Sequence, residues 1–301
     1  MTSCLIRKNF SVGIIGCGWL GRSLAEQLKQ QGIDVFATRS NTMNIKSLQS
    51  NGIKSDVLCL PTEQFSLNQH PVFNQNYIVI AITPQFRRGR VDYAEKIQQL
   101  VIAAQNSQYV KKIILVSTTS AYNGLYGEVD ETTELNESAG NVALIKKAEQ
   151  TVLGFNQQRK GDGDVLSFVK LASVLRLSGL VGPSRHPGNF LKHGRMLNSP
   201  EARVNLIHQD DAVGLILALL NNETFSGIVN GVSKTNASKA QYYSAAAKAL
   251  GIPEPCFNNN NSFTNQSNST VESKLSKVVA GKKARIHLKY SFVYDDLLNW
   301  L

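Results

Sequence analysis

The chain has 301 residues, of which 42% are hydrophobic, and it carries a formal net charge of +10 at pH 7. This length supports one large domain or two of medium size, with ample apolar material for a core. The basic residues are spread along the chain without an aromatic-interleaved stripe, which argues against a nucleic-acid partner. No apolar stretch reaches the length of a membrane span, so we expect no membrane partner either.

The four cysteines, Cys4, Cys17, Cys59 and Cys256, are scattered through the sequence without the spacing of metal ligands. This distribution predicts reduced thiols, no disulfide framework and no metal site. The first residues do not have the pattern of a secretory signal, so a cytoplasmic protein is expected.

The strongest pattern joins an apolar strand over 12–15 to a helix over 19–30 through three glycines. Their spacing, GxGxxG, is the one that opens a dinucleotide-binding unit. In such a unit Gly16 permits a tight turn, Gly18 lets backbone N–H groups approach a pyrophosphate, and Gly21 lets the helix pack closely on the strand. The phosphates then lie at the positive end of the helix. The predicted cofactor loop consists of Gly16, Cys17, Gly18, Trp19, Leu20 and Gly21.

The second strand, over 33–37, is followed by Thr38, Arg39 and Ser40, at the place where the ribose of a dinucleotide is recognised. An NAD site has an Asp or Glu there, and this chain has none. An arginine flanked by hydroxyl groups suits a 2'-phosphate, so the sequence favours NADP(H) over NAD(H) as cofactor. The alternative is that Arg39 is an ordinary solvated arginine.

Two later strands, over 76–82 and 112–117, end in small or hydroxyl-bearing residues. Because ligands bind at the carboxyl ends of strands in open parallel sheets, these strand ends are candidates for the cofactor site. The alternative for the hydroxyl groups is that they only satisfy loop backbone. The residues assigned to the cofactor here are Ala81, Ile82, Thr83 and Ser117.

Four blocks stand in order along the chain, at 16–21, 116–122, 175–183 and 207–212. Together they resemble the extended short-chain dehydrogenase/reductases, the NAD-dependent epimerase/dehydratase family, over nearly the whole chain. The resemblance implies an α/β fold, with a Rossmann-type doubly wound parallel sheet and a smaller C-terminal α/β substrate domain.

The domain organisation that we expect from this resemblance has two parts. The first is an NAD(P)-binding Rossmann domain over 1–171, whose sheet is completed by segments near 204–232. The second is a mainly substrate-binding, discontinuous domain over 172–301. Asp210 or Asp211 is expected to cap the helix over 212–220 and not to bind a metal.

Family members use a Ser or Thr that orients the substrate oxygen, a Tyr that moves its proton, and a Lys that lowers the pKa of the Tyr. The resemblance places the hydroxyl at Thr118, by its distance from Tyr122. The Tyr and Lys positions fall on Asn141 and Ile145, so the usual Tyr-x-x-x-Lys pair is missing. Tyr122 is the catalytic candidate that could supply a phenol from another direction, with Tyr126 as an alternative; a packing role is the commoner case for a tyrosine.

The segment after the sixth strand passes beside the nicotinamide in this family, and the resemblance implies contacts from Gly179, Leu180 and Val181. Arg185 and His186 follow directly and are assigned to the substrate. An arginine can hold a phosphate or carboxylate, and a histidine can act as an acid or base. For His186, packing of the turn is the alternative.

The sequence therefore favours an NAD(P)-dependent oxidoreductase acting on a small carbonyl or alcohol. Its expected partner is a small-molecule substrate, with a homodimer left open. One alternative is a non-catalytic regulatory or sensor protein that binds a dinucleotide. Another is a nucleotide-sugar epimerase or dehydratase, which the missing Tyr and Lys disfavour.

Overall fold

The structure is a computed structural model that describes residues 10–160, 166–192, 196–258 and 276–301. In chain order the strands of these ranges are β1 Val12–Ile15, β2 Val35–Arg39, β3 Lys54–Val57, β4 Tyr77–Ile80, β5 Lys112–Thr118, β6 Gly127–Val129, β7 Gln157–Lys160, β8 Leu166–Leu177, β9 Gly179–Val181, β10 Leu197–Asn198, β11 Leu206–His208, β12 Gly227–Gly231, β13 Phe257–Asn258 and β14 Lys277–Val279. The α-helices are α1 Trp19–Gln30, α2 Thr42–Gln49, α3 Gln64–Asn68, α4 Tyr93–Asn106, α5 Val142–Leu153, α6 Gln209–Asn221, α7 Lys239–Ala249 and α8 Lys282–His287. Short 3-10 helices lie at Pro71–Asn74, Phe86–Arg88, Thr119–Tyr122 and Pro187–Phe190.

The central sheet has seven parallel strands in the order β3-β2-β1-β4-β5-β8-β12, and β7 pairs with β8 in the antiparallel direction. The strand order reverses at β1, which has β2 on one side and β4 on the other. In open parallel sheets this reversal leaves a crevice at the carboxyl ends of the strands. The predicted Rossmann-type α/β fold is confirmed by this topology and by the solved structures described below.

Apolar residues cover both faces of the sheet, as expected for parallel strands that helices pack on from two sides. Ile14 belongs to the core cluster that contains Leu24 of α1 and Leu215 of α6. Its neighbour Ile15 belongs to the opposite cluster, which contains Ile97 of α4. The alternation of side chains along β1 thus divides the core into two layers and fixes the carboxyl end of β1 between them.

Segments near 204–232 were expected to complete the central sheet; β12, within this range, does so by pairing with β8, but β11 does not. β11 pairs in parallel with β9 in a separate two-stranded sheet, with Leu206 opposite Gly179 and His208 opposite Val181. In the central sheet β8 lies between β5 and β12. β8 itself continues through residue 171, where a domain boundary was expected.

The expectation that Asp210 or Asp211 caps the following helix is also wrong. The helix α6 begins at Gln209, and its N-cap is His208, whose Nδ1 accepts a hydrogen bond of 3.2 Å from the Asp210 backbone N–H. The helix starts three residues earlier than expected because His208 at the end of β11 supplies the acceptor that the first turn needs.

Asp211 has a different role, because it fixes the C-terminal segment onto α6. Its carboxylate is fully buried and accepts hydrogen bonds from the Tyr290 hydroxyl at 3.0 Å, the Val293 N–H at 2.7 Å and the Tyr294 N–H at 2.9 Å. A buried carboxylate needs several donors to offset its lost hydration, and these three bonds provide them.

None of the helices in the described ranges is long and apolar enough to cross a membrane.

Candidate functional site

A cleft of about 310 Å³ opens at the carboxyl ends of the central strands. Its walls are formed by Gly16, Gly18, Trp19, Leu20, Gly21, Ala81, Ile82, Thr83, Pro84, Tyr93, Val116, Ser117, Thr118, Leu177, Ser178, Leu180 and Arg185. The structure thus brings together most of the residues that the sequence assigns to a site. Those not assigned in advance are Pro84, Tyr93, Val116, Leu177 and Ser178.

Two glycines of the loop are required by the fold itself. Gly16 has a φ of +91°, and a Cβ there would lie 2.8 Å from the backbone of Ala81 and Ile82. At Gly21 a Cβ would lie 3.2 Å from the Gly16 carbonyl oxygen and from Cγ2 of Ile14. The turn and the close packing of α1 on β1 therefore both depend on the absence of a side chain.

Gly18 differs from the other two, because the fold leaves room at this position. Its φ is −83°, and the nearest atom to an added Cβ would be Nη1 of Arg39, at 3.7 Å. Gly18 is also the N-cap of α1, whose first turn has no side-chain cap and no acidic residue. Open space beside an uncapped helix N-terminus fits a diphosphate, which takes hydrogen bonds from backbone N–H groups and is favoured by the helix dipole.

Arg39 stabilises the glycine loop through a hydrogen bond to its backbone. Its Nη1 donates a 2.6 Å hydrogen bond to the Cys17 carbonyl, and the Cys17 N–H donates to the Thr38 carbonyl at 2.8 Å. Cys17 and Thr38 are both 1% exposed, so they lie behind the loop and do not line the cleft. Burial raises the pKa of the Cys17 thiol to about 11, against the opposing effect of Arg39. Ser40 is exposed beside them.

One wall of the cleft is supported by a buried ion pair. Glu149 of α5 and Arg176 of β8 are 1% and 2% exposed, and Arg176 Nη2 donates to Glu149 Oε2 at 2.6 Å. Arg176 Nε donates to the same carboxylate at 3.0 and 3.2 Å. Ser117 Oγ completes the group by donating to Glu149 Oε1 at 2.6 Å. Because its proton points to Glu149, Ser117 offers only acceptor lone pairs to a ligand.

Thr118 lines the cleft at the end of β5 and also begins the 3-10 helix Thr119–Tyr122. Its Oγ1 accepts from the Ser120 N–H at 3.1 Å and donates to Ser120 Oγ at 3.1 Å. The hydroxyl predicted to orient a substrate therefore also caps this helix. A ligand oxygen would compete with Ser120 Oγ for the Thr118 proton.

Tyr93 is a cleft residue that the sequence did not reveal. It is the first residue of α4, is 2% exposed, and its hydroxyl has no hydrogen-bond partner among the described residues. Burial, with a smaller contribution from Glu149, raises the pKa of this phenol, so it stays protonated. The apolar periodicity of α4 gives no reason to separate its first tyrosine from ordinary packing residues.

Tyr122, the phenol proposed from sequence, is placed differently. It is fully buried, its hydroxyl donates to Asn230 Oδ1 at 3.0 Å, and the Arg176 guanidinium lies 4.8 Å from its ring centre. Burial raises the pKa of this phenol as well. Tyr122 does not line the cleft and borders a second cavity.

Arg185 lies at the mouth of the cleft, on the glycine loop. Its guanidinium stacks on the Trp19 ring at 4.5 Å, and Trp19 Nε1 donates to Ser184 Oγ at 3.2 Å. His186 does not line the cleft. Its Nδ1 accepts from the Gly188 N–H at 3.2 Å, and its ring lies 5.5 Å from that of Trp300, with its pKa lowered by burial.

Most of the remaining sequence positions fall outside the cleft. Gly179 and Val181 belong to β9 and pair with β11, while Leu180 between them lines the cleft. Asn141 is the N-cap residue of α5, and Ile145 is 1% exposed in the core. In the described part of the chain, no group of three or more His, Cys, Asp or Glu side chains could hold a metal ion.

The parallel sheet, its strand order and the cleft at its switch point make a Rossmann-type α/β fold, and the solved structures described below share that fold. No family model matches the chain. Protein YeeZ of Escherichia coli K12 is 29% identical over 293 residues, which cover 95% of this chain and 97% of that protein.

Solved structures show the same fold over most of both chains. The human epimerase family protein SDR39U1, solved with NADPH, has a TM-score of 0.68 and 17% identity and covers 95% of this chain and 96% of its own. The UDP-glucuronic acid 4-epimerase of Bacillus cereus, solved with NAD, has a TM-score of 0.70 and 18% identity, with 94% and 93% coverage.

Proposed function

We propose that this protein is an NAD(P)-binding oxidoreductase of the short-chain dehydrogenase/reductase type, acting on a small carbonyl or alcohol without the usual Tyr-x-x-x-Lys pair. The observation that carries the proposal is the shared cleft, which joins the glycine loop to Ser117, Thr118 and the unpaired phenol of Tyr93. The two solved proteins with NADPH and NAD, which have the same fold, support a nicotinamide dinucleotide as the cofactor.

The chain's own residues fit such a cofactor at three places. The 16–21 loop and the start of α1 receive the diphosphate. The strand end over 81–83 lets the dinucleotide cross the sheet edge. Arg39, with Ser40, favours the 2'-phosphate of NADP(H). Arg185, stacked on Trp19, adds a positive charge on the same side of the cleft. The bound dinucleotide supplies or accepts a hydride.

The proton that accompanies this reaction needs a donor in the cleft. Tyr93 fits this role, because its hydroxyl has no hydrogen-bond partner among the described residues and its raised pKa keeps the proton in place until a substrate oxygen needs it. Thr118 Oγ1 orients that oxygen, and Ser117 accepts from a ligand donor.

Cofactor choice is tested by titrating the protein with NADPH and NADH in a calorimeter. We expect tighter binding of NADPH, and Arg39→Ala is expected to remove that preference by loss of a charge-assisted phosphate contact. Arg22→Ala, on the outer side of α1, is the matched arginine control. An Arg39→Ala protein that still prefers NADPH by the wild-type ratio would contradict the assignment.

Turnover is tested by following oxidation of NADPH with a panel of aldehydes and ketones. Tyr93→Phe is expected to lower kcat by a factor of about 100 or more, the usual contribution of a general acid, while NADPH affinity is unchanged. Tyr109→Phe, an exposed tyrosine 46% accessible, is the control and keeps full activity. A Tyr93→Phe protein with the wild-type rate would exclude this phenol as the donor.

A second candidate function is a dinucleotide sensor without turnover, and one observation favours it. The two side chains assigned to catalysis from sequence are both used internally, Thr118 as a helix cap and Tyr122 as a buried donor to Asn230. Tight NADPH binding without oxidation by any member of the carbonyl panel is the result expected of a sensor.

A further inference from the structure

The side chain of Trp300 packs against the rings of two histidines from separate segments. Between ring centres, Trp300 lies 4.9 Å from His208 and 5.5 Å from His186. His208 is the last residue of β11, and His186 is the N-cap of the 3-10 helix Pro187–Phe190. One indole therefore joins the end of β11 to the turn that follows β9.

These contacts are packing contacts between uncharged rings. Burial lowers the pKa of both His186 and His208, so both imidazoles are uncharged at about pH 7. The buried Nε2 of His208 has no hydrogen-bond partner among the described residues, and its ring also lies 3.9 Å from the ring of Tyr294. Two aromatic rings, those of Tyr294 and Trp300, thus determine where this side of His208 lies.

The segment that carries Trp300 is fixed before it reaches the histidines. Beyond the hydrogen bonds to Asp211 described above, the backbone N–H of the fully buried Leu297 donates to Thr235 Oγ1 at 2.8 Å. Trp300 then packs on the apolar cluster that contains Val181 of β9. The indole is therefore held in place by its own segment, independently of the cleft.

The residue before His186 and the residue after His208 both contact Trp19 of the glycine loop. The first is Arg185, whose guanidinium lies 4.5 Å from the centre of the Trp19 ring. The second is Gln209, whose Nε2 donates a 3.1 Å hydrogen bond to the Trp19 carbonyl oxygen. Both segments that carry the histidines therefore reach the start of α1.

The turn over 182–185 packs closely on Trp19. The indole Nε1 donates to Ser184 Oγ at 3.2 Å, and a Cβ at Gly182 would lie 3.3 Å from the indole ring and 2.9 Å from Cβ of Gln209. In such close packing a displacement of the turn or of Gln209 moves the indole as well.

We propose that Trp300 is a positioning residue for the glycine loop. It acts through the two histidines, which hold Arg185 and Gln209 against Trp19 at the start of α1. Trp300 is not among the described residues that line the cleft, so its effect on a ligand passes through these neighbours. The proposal rests on the proposed function only for the identity of the ligand, a nicotinamide dinucleotide.

The chain has two tryptophans, Trp19 and Trp300, and this gives a direct readout. Trp300→Phe and Trp300→Ala both leave Trp19 as the single tryptophan, but only Trp300→Phe keeps an aromatic ring beside the histidines. In cofactor-free protein we expect acrylamide to quench Trp19 fluorescence more strongly in Trp300→Ala than in Trp300→Phe, because the indole loses the cover of Arg185. Trp300→Leu gives the same comparison with a smaller loss of apolar volume.

Cofactor binding is measured by calorimetric titration of the full chain with NADPH. Trp300→Ala is expected to weaken binding about tenfold relative to Trp300→Phe, the effect of displacing one hydrogen bond and one cation–π contact. Leu67→Ala, at a site 1% exposed in the opposite core layer, controls for a general loss of stability and is expected to leave NADPH affinity unchanged. When Arg185→Ala and Gln209→Ala are already present, adding Trp300→Ala is expected to have no further effect.

Three results would overturn the proposal: equal quenching of Trp19 in all three Trp300 variants, a loss of affinity in Leu67→Ala as large as that in Trp300→Ala, or an undiminished effect of Trp300→Ala when Arg185→Ala and Gln209→Ala are present. Failure of the proposed function is a separate outcome. If NADPH does not bind the unaltered protein, the quenching comparison, made without cofactor, still decides whether Trp300 positions Trp19.

Discussion

The buried pair of Glu149 and Arg176 gives the most quantitative prediction for stability. The substitution Glu149→Gln keeps the size of the side chain and an oxygen that can accept from Ser117, but it removes the negative charge. Arg176, 2% exposed, is then left as a buried cation without a counter-ion. Its guanidinium cannot release the proton to escape this cost, because the pKa of arginine is too high.

The magnitude follows from the burial of both partners. Removing one member of a fully buried ion pair costs about 3–5 kcal/mol of the free energy of unfolding, because the remaining charge has lost both its hydration and its partner. With Glu149 at 1% exposure and all its bonds to Arg176 internal, solvent does not screen the loss. We expect a decrease within that range for Glu149→Gln.

The assay is urea unfolding followed by circular dichroism, with the double variant Glu149→Met with Arg176→Met as the comparison. Replacing both charges by apolar side chains of similar volume removes the uncompensated charge, so the double variant is expected to be more stable than Glu149→Gln. The reasoning is refuted if Glu149→Gln loses less than about 1 kcal/mol, or if the double variant is the less stable of the two.

Three further predictions concern other parts of the chain. Gly16→Ala is expected to lower the free energy of unfolding by more than about 1 kcal/mol, because φ is +91° and the new Cβ meets the backbone. Gly18→Ala is expected to lower it by less than that and to weaken NADPH binding. Unfolding curves and calorimetric titrations compare the two variants, and equal losses of stability would contradict the distinction. Burial raises the pKa of the Cys17 thiol to about 11, so Cys17 is expected to resist iodoacetamide at about pH 8 while the exposed Cys59 reacts. Peptide mapping by mass spectrometry measures both reactions, and rapid labelling of Cys17 in the folded protein would be evidence against its burial. Asp211→Ala is expected to lower the free energy of unfolding by at least about 3 kcal/mol, since three donors lose a charged acceptor, and a loss below about 1 kcal/mol would show that water replaces it.

The sequence predicts those parts of the fold whose signal is local. The apolar strand before Gly16 and the periodic helix after it specify the first unit by themselves, because strand, turn and helix are all encoded within twenty neighbouring residues. The sequence also locates the hydroxyl groups at the end of β5 in the cleft, because open parallel sheets bind ligands at the carboxyl ends of their strands.

The parts that the sequence does not predict depend on distant contacts. The pairing of β11 with β9 sets Leu206 opposite Gly179, and no local pattern in either segment predicts this distant contact. Tyr93 reaches the cleft because α4 begins at the same sheet edge as Ser117, and a tyrosine in the first turn of a helix has no distinctive local signal. The second cavity, which Tyr122 borders, is also lined by Arg203, Lys239 and Lys277, and only the fold brings these three distant positions together.

The carboxylate of Asp211 also has a consequence for the order in which the chain folds during synthesis. The helix α6 that carries it leaves the ribosome roughly eighty residues before its partners at Tyr290, Val293 and Tyr294 are made. Until then this side chain has no internal donors, so it must stay hydrated, and the layer formed by α1 and α6 cannot close completely around it. Nascent chains halted before residue 290 are therefore expected to remain sensitive to protease at α6, although all seven strands of the central sheet have already been translated.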